Sequence, residues 1–274
     1  MATDGITFSL LGPLEVRHRG ELVVVPARMQ RALLACLLDQ AGSSVSLTTI
    51  AAQLWAGAAP KTAPATIRNY VRRARALLPE PVLRQVSDGY QLAISPEQLD
   101  THRFAAMIAR ARAARSADLF AAALRLRRGS PLSDLGEVPI REVVATNWDE
   151  VYLGAVEDFL DARIERGEHA SVIADLTVHV RRYPGRERLC GQLMTALYAA
   201  GRAAEALDLY RTVRRRLVDE LGIEPGPSLQ RLELAILRGD PTLLPRDRAH
   251  RPTCWPTSTA ARGRPVPFAN SRFR

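Results

Sequence analysis

The hydrophobic period of this chain changes once, near Leu99, and that change requires two different architectures. Before it, apolar residues come in short alternating runs and brief helical stretches, broken by turn residues. After it, helical spacing continues almost throughout. A length of 274 residues is about twice a typical domain, and 47% hydrophobic content supplies a core for each half. No apolar run approaches the roughly 18 residues of a membrane-crossing helix. The opening Met1-Ala2-Thr3-Asp4-Gly5 lacks the basic patch and apolar stretch of a secretory signal. Cys36, Cys190 and Cys254 lie far apart, without a C-x-x-C pair, so neither a disulfide framework nor a zinc site is expected. The expected location is the cytoplasm.

Residues 1–97 read as a small α+β unit. Strand-like runs at residues 8–11, 14–17 and 22–25 are separated by Gly12-Pro13 and Arg19-Gly20. Leu33, Leu34, Leu37 and Leu38 then mark a helix ended by Gly42. Ser46 is placed to cap a second helix carrying Leu47, Ile50 and Leu54, and a third spans about residues 62–78. A hairpin (82–86 and 90–94) turns at Ser87-Asp88-Gly89, and Ser95-Pro96 closes the unit. This is a winged helix-turn-helix in outline, expected to fold alone.

Residues 98–244 form helices at about 103–115, 117–128, 142–165, 170–182, 186–200, 203–221 and 227–238. Gly167 and Gly201 stand 34 residues apart, each ending one amphipathic helix and opening another. That is the period of tetratricopeptide hairpins, which stack to bury their faces. The fold class is therefore mainly α: a winged helix-turn-helix followed by an all-α, tetratricopeptide-like domain. Residues 245–274, with prolines among arginines and no period, read as a disordered basic tail.

Charge is informative through its distribution. Of 38 basic residues only Lys61 is a lysine, an arginine bias that a GC-rich genome alone produces. Basic and acidic residues number 10 and 7 in residues 1–97, 21 and 21 in 98–244, and 7 and 1 in 245–274. A polyanionic partner would be met by the ends. In the third helix Ile67, Val71, Ala74 and Leu78 form one apolar stripe, leaving Arg68, Asn69, Arg72 and Arg73 on other faces and Arg75 beside it. Arginine pairs with guanine and asparagine with adenine in the major groove, while flanking arginines hold phosphates.

Catalytic patterns are weak. Ala56 to Thr62 lacks the second glycine of a phosphate-binding loop, and Pro60 stands before Lys61. His18, His102, His169, His179 and His250 have no metal spacing, and His169 and His179 read as surface residues. Glu157, Asp158 and Asp161 read as solvated ion pairs with Arg163 and Arg166. Cys36 and Cys190 read as buried small apolar groups, and Trp55 and Trp148 as core or interface anchors. No enzyme activity, catalytic residue, cofactor or metal is expected.

Val71-Arg72-Arg73-Ala74-Arg75-Ala76-Leu77-Leu78, followed by Asp88-Gly89-Tyr90, resembles the recognition helix and wing of OmpR/PhoB-type regulators. Leu10-Leu11-Gly12-Pro13-Leu14-Glu15-Val16, Leu54-Trp55, Glu205-Ala206-Leu207, Tyr210, Leu217 and the run Glu220 to Gly226 narrow the likeness. Together they resemble the Streptomyces antibiotic regulatory proteins, which join such a winged helix to a bacterial transcriptional activation domain. The resemblance implies a sequence-specific activator of a secondary-metabolite gene cluster. It implies double-stranded promoter DNA with direct repeats as ligand, RNA polymerase holoenzyme with its sigma factor as partner, and a homodimer on DNA. Carried over by alignment, Arg68, Asn69 and Arg73 would face base edges. Thr66, Tyr70, Arg72 and Arg75 would hold phosphates, with Arg84 in the wing near the minor groove. Ala74 stands where leucine is common, and Asp88 would be unfavourable near a phosphate. A winged helix beginning near residue 6 implies an effector unit without a preceding receiver, and a chain ending in the tail resembles the small members. The alternative is a repeat-protein adaptor that binds nucleic acid loosely.

Overall fold

The computed structural model describes residues 5–79 and 81–244; the tail expected at 245–274 lies outside them. Three strands open the fold: β1 (Ile6–Ser9), β2 (Glu15–His18) and β3 (Glu21–Leu22), antiparallel in that order. Alternation puts Ile6, Phe8 and Val16 inside, with Phe8 opposite Val16. The third strand is shorter and earlier than the sequence suggests. Leu22 and Val24 point to solvent, so apolar character there reflects no burial.

Helices α1 (Arg28–Asp39), α2 (Leu47–Trp55) and α3 (Ala63–Arg75) follow, with β4 (Val45–Ser46) between the first two. The Ser46 hydroxyl accepts the Thr49 N–H at 3.1 Å, capping α2 as expected. The hairpin β5 (Leu83–Val86) and β6 (Gly89–Leu92) pairs through β6 with β4. A Cβ on Gly89 would run into the Val45 carbonyl, so only glycine lets β4 and β6 come this close. Packed under this sheet, α1 to α3 complete the winged helix.

The rest is helical: α4 (Asp100–Ala114), α5 (Ala117–Leu124), α6 (Pro139–Glu165), α7 (His169–Arg182), α8 (Glu187–Ala199), α9 (Ala203–Leu221) and α10 (Pro227–Leu237). Helices α6 to α9 stack as successive hairpins, and α10 packs on α8 and α9. The two marker glycines end α6 and α8 in the same way. Each has φ +80°, and the next residue, Glu168 or Arg202, donates its N–H to a carbonyl five residues back. This Schellman ending needs the left-handed conformation glycine adopts freely. The repeat is thus visible as a repeated helix stop.

The apolar core under the winged helix does not end at residue 97. It takes in Leu99, just before α4, and Leu132, Leu135, Val138, Ile140 and Val144, supplied by the loop after α5 and by the first turns of α6. Residues 10–14 are clamped in turn. Leu10 and Leu11 donate their N–H groups to the Asp100 carboxylate at 2.8 and 3.0 Å, and Leu14 donates to Asp134 at 2.9 Å. The Leu11, Gly12 and Pro13 carbonyls accept from Arg128 N–H, Leu132 N–H and the Arg128 guanidinium. Arg31 of α1 pairs with Asp134 at 2.8 Å. A Cβ on Gly12 would sit 3.0 Å from that of Arg128. Trp148 bridges the clusters, packing on the winged-helix core and edge-on against Phe104 at 6.4 Å between ring centroids. The boundary expected at 97/98 falls within a short 3-10 turn (Pro96–Gln98), inside a core shared by both halves.

Candidate nucleic-acid interface

Helix α3 buries Ala63, Ile67, Val71 and Ala74 against α1 and α2, the stripe the sequence spacing requires. Pro64 sits in the first turn, where its missing N–H costs nothing. Burying one face fixes which residues face outward: Arg68, Arg72, Arg73 and Arg75 are exposed, with Asn69 half-buried between them. Ala74 is fully buried, so a small residue fills that core position without leaving α3 adrift.

The sequence-expected residues divide by what they hold. Arg68 and Arg73 make no hydrogen bond or ion pair among the described residues. Arg72 donates to the Asn69 side-chain oxygen at 3.1 Å, so Asn69 must release that contact before it can read a base. The Thr66 hydroxyl donates to the Thr62 carbonyl at 3.1 Å, one turn back. Tyr70 packs its ring against the core. Arg84 stands exposed on β5, its Nε donating to the Pro81 carbonyl at 3.0 Å. Arg75 differs: its Nε donates to the Leu83 carbonyl at 3.1 Å, and its guanidinium carbon lies 6.0 Å from the Tyr90 ring centroid. It ties α3 to both strands of the wing, a role that spacing alone does not reveal.

This face gathers positive charge. Among the described residues, Lys61, Arg68, Arg72, Arg73, Arg75 and Arg84 have no acid within ion-pair distance. In the helical domain Arg112, Arg127, Arg163, Arg166, Arg186, Arg188, Arg202, Arg214 and Arg216 each hold a carboxylate, whereas Arg103, Arg110, Arg115, Arg181, Arg182 and Arg215 hold none among the described residues. Compositional bias supplies arginine everywhere; what sets the α3 and hairpin cations apart is that six of them gather on and beside one helix and its hairpin with none paired to an acid among the described residues. Its wing tip, Ser87-Asp88, is exposed and carries one negative charge.

Other expected roles fall elsewhere. Cys36 and Cys190 are buried thiols, and burial pushes the Cys190 thiol up to about 11. The acidic run on α6 is not a solvated pairing with Arg163 and Arg166. Glu157 is 3% exposed, burial raises its carboxyl above the usual range, and Arg186, just before α8, and Arg188 of α8 approach it. Asp158 holds Arg112 of α4 and Arg188, while Arg163 and Arg166 turn to Asp175 and Asp118. The reason is stacking: one helix's acids find partners on its neighbours. His179 is half-buried rather than on the surface, and desolvation lowers its pKa. No helix of the described residues is long and apolar enough to cross a membrane.

Residues 99–237 match the family described as Bacterial transcriptional activator domain. The chain is 36% identical over 252 residues to Transcriptional regulator RedD of Streptomyces coelicolor, covering 87% of this chain and 72% of that one. It is 32% identical to Regulatory protein DnrI of Streptomyces peucetius, covering 85% and 92%. Regulatory protein AfsR of Streptomyces coelicolor is 38% identical, but the match spans 25% of its length. Among solved structures, Mycobacterium tuberculosis EmbR in complex with a low affinity phosphopeptide superposes with a TM-score of 0.79 at 35% identity, covering 85% of this chain and 65% of that one.

Proposed function

The chain belongs to the family of transcriptional regulators built on the bacterial transcriptional activator domain, the Streptomyces antibiotic regulatory proteins, and from that premise we propose that it activates transcription by reading promoter DNA with α3 and its wing. The observation that carries this is the unneutralised Lys61, Arg68, Arg72, Arg73, Arg75 and Arg84 cluster beside a helix whose opposite face is buried. A phosphate backbone supplies the missing negative charge and releases counterions. Arg68, Arg73 and, once freed from Arg72, Asn69 face base edges; Thr66, Tyr70, Arg72 and Arg75 hold phosphates; Arg84 follows the wing.

The helical domain, with balanced charge and stacked hairpins, presents a surface suited to protein partners. In this reading it contacts RNA polymerase holoenzyme with its sigma factor. Two copies occupy direct repeats at the nucleoid, and the genes controlled make a secondary metabolite.

The test is equilibrium binding to an operator found by footprinting the promoters of neighbouring genes, titrated with salt. Arg73→Ala is expected to lose about 1–3 kcal/mol of specific binding and to relax preference at one base position. Specific sites should keep an affinity ratio of at least about 10³ over random DNA. A ratio near one would favour the adaptor reading, in which the basic face binds nucleic acid loosely.

A further inference from the structure

We propose that the cleft between α6, α8 and α10 is a binding site for a small organic cation with an apolar body. The cleft has a volume of about 480 Å³, within the range of small-molecule sites, and lies between packed helices where such sites are common. Ile164, Gly191, Leu229 and Leu232 supply its apolar walls.

Three independent features shape what fits. Gly191 lies inside α8, where glycine is less stable than alanine. Nothing in the packing demands it, because a Cβ there would rest 3.6 Å from Leu229 and 3.7 Å from Leu232, in ordinary contact. What the glycine provides is room on the floor of the cleft.

Gln192, the next residue, also lines the cleft and is 6% exposed. Its Nε2 donates to the Glu157 main-chain carbonyl at 2.7 Å, which fixes the orientation of the amide. Among the described residues no group donates to the buried amide oxygen. A buried acceptor in that state costs free energy that an N–H group of a ligand would recover.

The charged lining is the third feature. Asp161 and Glu187 are acidic and Arg188 basic, but Arg188 is already shared among Glu157, Asp158 and Asp161. Positive charge is therefore favoured at the rim and negative charge opposed. An ammonium or amidinium group meets both the acidic rim and the vacant amide oxygen, and an apolar ring system meets the walls.

The experiment uses dansylcadaverine, a primary ammonium on an apolar naphthalene, against dansylglycine, its anionic counterpart. Fluorescence titration of the full chain should show saturable enhancement with the first and none with the second. Gly191→Leu places an isobutyl group on the cleft floor and should weaken binding about ten-fold or more. Asp161→Asn, at the solvent-facing rim, should weaken it about two- to five-fold while leaving the fold intact. Equal binding of both dyes, unchanged binding by Asp161→Asn, full binding by a folded Gly191→Leu protein, or no saturable signal up to about 1 mM would each overturn the assignment.

Discussion

Asp100 is the residue on which the junction of the two halves can be tested most sharply. It is 5% exposed, stands at the start of α4, and accepts the N–H groups of Leu10 and Leu11 at 2.8 and 3.0 Å. Both leucines are buried, so water cannot replace the carboxylate. Asp100→Ala leaves two buried amides unpaired, at about 1–3 kcal/mol each. Part of this is returned, because burial raises the Asp100 carboxyl above its usual range, a sign that the charge is itself costly where it sits. The net loss is about 2–4 kcal/mol. For a unit of this size each kcal/mol moves the melting midpoint by about 2–4 °C, so a fall of about 4–16 °C is expected. Asp100→Asn should recover less than half, since its oxygen can serve one amide while its own N–H₂ opposes the other. The assay is thermal unfolding by circular dichroism, with tryptophan emission reporting on Trp148 at the junction. A midpoint lowered by less than about 2 °C in the alanine variant would mean that the clamp contributes nothing net, and the shared-core account would fail.

Four further outcomes are expected. A fragment of residues 1–97 loses Leu99, Leu132, Leu135, Val138, Ile140 and Val144 from its core; at about 1.5–3 kcal/mol per side chain this rivals the whole stability of a domain. Against the sequence expectation, that fragment should show no cooperative melt, and one near that of residues 1–244 would refute the point. Arg75→Ala should weaken binding to all DNA sequences, lower the salt slope by about one, and also depress the melting midpoint by freeing the wing; unchanged stability would return Arg75 to a pure phosphate contact. Desolvation lowers the pKa of His179, so the unfolded chain takes up its proton first. Its contribution to stability is held above about pH 6.5 and lost as pH falls below that, and His179→Gln should flatten part of the slope of midpoint against pH. Ser87 has φ +48°, so Ser87→Gly should stabilise the wing by about 0.5–1 kcal/mol, read in denaturant unfolding; a loss of stability would show the turn is unstrained.

Much of the fold was legible because local signals agree with one another. The α3 stripe, the Ser46 cap and the glycine stops at Gly167 and Gly201 each follow from spacing within one element, and each stands where expected. Features that need two distant segments were not legible. Leu10-Leu11-Gly12-Pro13-Leu14 marks the family in sequence, but only the fold shows why: its N–H and carbonyl groups are met by Asp100, Arg128, Leu132 and Asp134. Asp100 itself carries no sequence signal beyond an acid at a helix start, a common surface feature. The partners of Glu157 and Asp158 are hidden for the same reason, since spacing along α6 sees Arg163 and Arg166 but not Arg186 and Arg188 at the start of α8. In the candidate interface, exposure could be read from the helical wheel. The bond from Arg75 to the hairpin could not, because it depends on where β5 passes.

The same junction bears on how a regulator of this kind would act. Two domains joined by a flexible linker sample many relative orientations, and a partner surface on one is then only loosely placed by the other. Here the connection has no such freedom. Helix α6 begins in the winged-helix core with Ile140 and Val144 and continues unbroken to Leu153, Val156 and Leu160 in the core of the stacked hairpins. A single rigid element therefore enters both cores, and residues 10–14 and Arg31 fasten it from the other side through the α5–α6 loop and the start of α4. Under the proposed function, seating α3 in a groove would also set the direction of α6 and the hairpins stacked on it. The entropy of holding the helical domain beside the operator is met during folding rather than at the promoter, which favours capture of a partner at one fixed place on the DNA.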